Sequence, residues 1–151
     1  MSKDLYRHTH SSILAFISAV AEQFTLDFGQ PFTAVNLEAA ASLEFLPPGN
    51  LVAVDRFSIT SSSDDMGIPT CSAMVVVGVE GDPNNLILSK VASRLFDRLQ
   101  PENKIALVNA DTGQPLGMLQ LMGPVLALPV DRESQTRAMV PLTLQAGVAL
   151  I

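Results

Sequence analysis

The stretch 71–109 constrains the fold of this 151-residue chain more than any other. It reads strand, turn, helix, strand. Residues 71–79 (CSAMVVVGV) form a short apolar, β-branched run suited to a pleated sheet. Glu80, Gly81, Asp82 and Pro83 then make a turn that also starts a helix. Asp82 is placed to accept the free backbone N–H groups, and Pro83 suits the first helical position. Leu88, Val91, Ala92, Leu95, Phe96 and Leu99 recur at i, i+3, i+4, i+7, i+8 and i+11, which puts them on one face of that helix. Pro101 ends it, and 104–109 (KIALVN) returns as a strand.

A chain of this length fits one domain, residues 1–151, and is long enough to bury a substantial core. It is 48% hydrophobic and only 16% charged, against about 25% charged residues in an ordinary soluble domain. So apolar a chain must hide surface in a large core or against other subunits, and limited internal volume favours the second. The net charge of −6 argues against nucleic acid or an anionic membrane as the main partner, because both want a basic surface. The single cysteine, Cys71, permits no intrachain disulfide and is expected as a buried thiol.

Around the central unit the chain alternates short elements and turn formers. Residues 1–10 read as a polar N-terminal arm, and a helix is expected over 11–24 with Thr9 or Ser11 as its cap. Residues 3–21 have the outline of a secretory leader, with Lys3 and Arg7 before the apolar run 13–20. Asp4 and two histidines interrupt the basic part, and the run is too short to span a membrane, so a folded helix is expected. Residues 25–50 form an irregular insert: Asn36 offers a cap for a short helix over 37–45, and a strand-rich loop fits the same residues. Residues 51–60, 71–79, 104–109, 116–122 and 137–149 read as strands, 125–130 as a further edge strand, and 61–69 and 131–136 as loops. The sum is α+β: a mainly antiparallel sheet of five or six strands, with an N-terminal helix and a central helix packed on one face.

No residue pattern amounts to a catalytic signature, and no cofactor or metal is expected. Asp64 and Asp65 lack the spaced ligands of a calcium loop. His8 and His10 would face the same way only in an extended arm, and nothing completes a metal site around them. The turn Gly78-Val79-Glu80-Gly81 lacks the glycine spacing and the lysine of a phosphate loop. Two charged features are candidate interfaces. Lys90, Arg94 and Arg98 repeat at i, i+4 and i+8 as a basic stripe, suited either to solvent or to an acidic neighbour such as another copy of this chain. Asp131, Arg132 and Glu133, in the most charged loop, are the second.

The order of elements over 11–24, 51–79, 83–100, 104–122 and 137–149 resembles the small ring-forming tail proteins of long-tailed bacteriophages. These include tail terminators and related neck and baseplate components. The resemblance is one of architecture and shares no residue motif, so no functional residue carries over. The insert at 25–50 and the apolar C-terminus depart from its simplest version. It implies a non-enzymatic building block that oligomerises as a ring or collar, contacts other tail proteins, and resides in a virion tail assembled in the host cytoplasm. Such rings arise from repeated heterologous contacts that close. The alternative reading is a small α+β ligand-binding or accessory domain, the latter dimeric.

Overall fold

A computed structural model of the protein describes residues 4–39, 46–61, 68–132 and 136–151. Two helices and seven strands come in the order α1 (Leu5–Phe28), β1 (Phe32–Asn36), β2 (Asn50–Thr60), β3 (Thr70–Glu80), α2 (Leu86–Arg98), β4 (Lys104–Val108), β5 (Pro115–Leu121), β6 (Asp131–Arg132) and β7 (Arg137–Leu150). The class is α+β, as the sequence led us to expect.

The strands form one sheet in the order β1-β2-β3-β7-β5-β4, with β6 also paired to β7. The sheet is mixed. The β2–β3, β3–β7, β5–β7, β4–β5 and β6–β7 pairs are antiparallel, and β1 runs parallel to β2. Against the five or six strands expected, the seven include two, β1 and β6, from the stretches read as insert and as loop. Both are short, five and two residues, and so carry little pattern.

Alternation along the strands sorts their residues to two faces. Val52, Val54, Val75, Val77, Val79, Val140, Leu142 and Leu144 join Ile13, Ile17, Val20 and Phe24 of α1 and Leu88, Val91 and Leu95 of α2 in the main core. Leu51, Ala53, Val76 and Met139 make a smaller cluster on the opposite face, covered by Leu46 and flanked by Val35 and Leu37. Helix α1 packs on β1 and β2 at one end of the sheet and on β4 at the other, while α2 packs on the central pair β3 and β7. For one helix to reach both ends while a second occupies the middle, the sheet curves around the pair.

Helix α1 is longer than expected at both ends. It starts at Leu5 rather than at Ser11, so the expected arm over 1–10 is helical from Leu5 onward. The reason is tertiary. Side chains of that segment find partners in the turn after β4: Ala110 N–H donates to His8 Nδ1 at 2.9 Å, and Arg7 meets Asp111. Just beyond the segment, Val108 N–H of β4 donates to Ser12 Oγ at 3.0 Å. At the other end the helix runs past Phe24 until Gly29, which takes the left-handed conformation (φ 66°) and returns its N–H to the Thr25 carbonyl at 3.1 Å. Of the short helix expected over 37–45 with Asn36 as its cap, only 37–39 fall among the described residues, and they fold as a turn. Asn36 closes strand β1, and its Oδ1 accepts from Glu38 N–H in that turn.

Helix α2 starts three residues after Pro83, because residues 82–85 fold as a turn before it. Asp82 still caps it, accepting from Leu86 N–H at 3.2 Å and from Leu88 N–H at 2.9 Å. Residues 125–130, expected as an edge strand, make one isolated bridge, Ala127 to Leu142, and run beside β7 without forming a regular ladder. Pro141 explains part of this. Its carbonyl accepts from Leu128 N–H at 2.8 Å, so its missing N–H would have faced the same irregular segment rather than β3.

Candidate assembly surfaces

The basic stripe lies along the seam between the two helices. Arg94 Nη1 is 2.8 Å from Asp27 Oδ2 of α1, and its guanidinium stands 5.3 Å from the Phe28 ring centroid. Arg98 stands 5.4 Å from the Phe16 ring centroid, also on α1. Lys90 is exposed, beside Ser93 and Phe28. Two of the three cations therefore meet the first helix of their own chain. Sequence spacing on α2 alone could not show this, since the docking of α1 decides it.

Asp131 and Arg132 form β6, paired with Met139 and Ala138 of β7, and both are exposed. Glu133, Asp64 and Asp65 lie outside the described residues. The structure thus places the stripe and the β6 pair on separate elements and does not gather them into one site. Within α1, two positions apart, His8 and His10 cannot face the same way: His8 is buried and bonded to Ala110, while His10 joins Tyr6 and Phe57 in a ring cluster with centroid distances of 6.0 and 4.8 Å. Among the described residues no group of three His, Cys, Asp or Glu side chains is placed to hold a metal. No helix among them is long and apolar enough to cross a membrane. Cys71 is buried, and burial pushes its thiol up to about 11.

The first turns of α1 are tied to the turn after β4 by charge as well. Arg7 Nη1 and Nη2 meet Asp111 Oδ1 and Oδ2 at 2.8 and 2.6 Å, a two-point fork. The hydrogen bonds and charge of Arg7 hold the Asp111 carboxyl below its ordinary range. A second clamp holds residues 47–49 against the end of β7. Arg137 is buried and donates to the Pro47 and Gly49 carbonyls at 2.6 and 3.1 Å, and Glu80 Oε2 accepts from Gly49 N–H at 3.0 Å.

Sequence reasoning missed an apolar strip on the sheet. Met118, Met122, Leu126, Leu128 and Val130 are all large, apolar and exposed, and they succeed one another from β5 into the irregular segment beside β7. Thr143 N–H donates to the Leu126 carbonyl and Leu128 N–H to the Pro141 carbonyl, so Leu126 and Leu128 lie opposite Thr143 and Pro141. Those two residues alternate with Leu142 and Leu144 of the main core and so point away from the helices. Exposed Ile68 extends the strip: its Cγ2 and the Met122 Sδ are the side-chain atoms nearest Gly147. The signal was present in the alternation of 126, 128 and 130. Read as an edge strand, it gave no hint that its apolar side is the uncovered one.

The helical side carries two grooves along α1. One, about 400 Å³, lies against β4 and is lined by Ser12, Ala15, Phe16, Arg98, Lys104 and Ala106. The other, about 600 Å³, lies against β1 and is lined by Ser18, Ala21, Glu22, Thr25, Leu26 and Thr33.

The structure defines a class by fold: two helices on the concave face of a curved, mixed sheet. A solved chain known only by number shares it along its whole length, with a TM-score of 0.60 at 18% identity, covering 100% of this chain and 98% of that one. A chain from the virion of a native gene transfer agent particle superposes at a TM-score of 0.24 and 14% identity, covering 68% of this chain and 80% of that one, a likeness too slight to carry an argument. No protein-family profile matches the sequence, and no curated protein does.

Proposed function

We propose that this protein is a non-enzymatic structural subunit that assembles with copies of itself, as a ring or collar, in a phage tail or tail-like particle. Its place there would be that of a tail terminator, neck or baseplate component, contacting other tail proteins. The observation that carries the self-assembly is the apolar strip of Met118, Met122, Leu126, Leu128 and Val130 on the outer sheet face. Apolar side chains that stay in water cost about 25 cal/mol per Å² relative to burial, and several large ones on one face of a sheet favour a covering partner. The tail setting rests on the architectural resemblance to ring-forming tail proteins.

The test is the solution mass by light scattering, with particles imaged by negative stain. A closed assembly of several copies supports the reading. The Leu126→Glu/Leu128→Glu variant should then fall to a smaller species with an unchanged melting temperature, since both side chains are exposed. A monomer at every concentration and in the presence of tail components overturns the reading.

A further inference from the structure

We infer that the exposed face of α1 docks antiparallel on the same face of a second copy, about a two-fold axis passing near Ser18 and Ala19. This deepens the proposed function, resting on the reading of the protein as a self-assembling subunit, and adds a contact on the side opposite the apolar strip.

Charge complementarity carries the argument. The groove against β4 is lined by two cations, Arg98 and Lys104, and by no acid. The groove against β1 is lined by one acid, Glu22, and by no cation. None of the three makes an ion pair among the described residues. Both grooves flank the same helix, one along β4 and one along β1, so α1 itself stands between them and one copy cannot bring them together. A second copy turned by a half rotation can.

The spacing fits that rotation. Glu22 and Ala15 are seven residues apart, about 10 Å along the axis, and Ser18–Ala19 lies midway between them. An antiparallel copy centred there sets Glu22 over the second copy's Ala15, on the rim of the groove that holds Arg98 and Lys104. It also sets Leu26, 78% exposed, over the second copy's Ser11. The residues brought face to face at the axis, Ser18 and Ala19, are both exposed and small, which lets two helix axes approach to about 8–10 Å. A contact of this kind is isologous, so every favourable pair occurs twice.

The experiment uses the full-length Leu126→Glu/Leu128→Glu protein, in which the strip contact is removed, and reads mass and dissociation constant by sedimentation equilibrium. The expected species is a dimer. Glu22→Lys or Lys104→Glu, added singly, should weaken it by about tenfold or more through like-charge repulsion. The two together should restore it, as should an equimolar mixture of the two single variants. All four residues are exposed, and melting curves confirm the fold of each variant. A monomer in the strip-deficient background overturns this contact, as does a dimer indifferent to either single change, or weakening without rescue. In each of these cases the proposed function still stands or falls on the mass of the unmodified protein.

Discussion

Leu95 is the residue on which the central helix turns: it is fully buried between α2 and the sheet. Leu95→Ala should cost about 2–5 kcal/mol, read as a lower urea midpoint at unchanged slope. Gly117 is different in kind. It sits opposite Leu150 where β5 meets β7, and a Cβ added there would overlap the Ala149 carbonyl oxygen. Gly117→Ala should therefore lose the β5–β7 ladder locally, seen as faster amide exchange at 117–121 and 146–150. Arg7 and Asp111 give a pH prediction. Asp111 is held below its ordinary carboxylate range in the folded chain, so the pair stabilises fully above the unfolded value, near 3.9. That contribution disappears as the pH falls through the lowered value. Asp111→Asn should be slightly less stable than the parent at pH 7, with the difference narrowing in strong acid; both groups are exposed and the effect is small.

Elements with long, regular periodicity were legible in the sequence. The strands 51–60, 71–79 and 137–149 fall within one residue of their structural bounds, because alternation and β-branched content persisted for nine residues or more. The apolar face of α2 was legible for the same reason. What was not legible depends on partners distant in sequence. Residues 1–10 looked like an arm because their charged residues, histidines and threonine gave no helical apolar face. The stretch is helix from Leu5 onward because the turn after β4, about a hundred residues later, supplies a donor to His8 and a carboxylate to Arg7. The parallel strand β1 was hidden because five residues carry too few alternations, and the apolar strip because a pattern of period two does not say which of its sides is covered. The tie between α1 and the sheet edges can be measured. Ser12→Ala leaves the Val108 N–H without its acceptor, and should cost about 1 kcal/mol and speed exchange at that amide.

At the scale of the molecule the two sides of the sheet differ in character. The helical side is closed over the main core and shows charge at its seams, with Arg94 on Asp27 and Arg98 over Phe16. The outer side is covered at one end by Leu46 and Arg137-bound residues 47–49, and bears the apolar strip beyond it. A molecule built this way has two unlike faces, one apolar and one patterned by charge. Salt should discriminate between them. Raising ionic strength weakens contacts made by exposed charges and leaves apolar burial intact or stronger, so the proposed assembly should lose its charge-made contacts first, visible as stepwise rather than all-or-none loss of mass.

One helix touches both rims of the sheet. Ser12 accepts the Val108 N–H at the β4 rim, and Thr25 Oγ1 accepts the Phe32 N–H at the β1 rim, 3.0 Å each. Helix α1 therefore works as a drawstring. If it slackens, by proteolysis near its start or by a lost cap at Gly29, both rims lie open at once, and each molecule becomes a tile with two raw borders. Tiles of that kind join without limit, so the integrity of a single helix guards the sheet against uncontrolled edge-to-edge association.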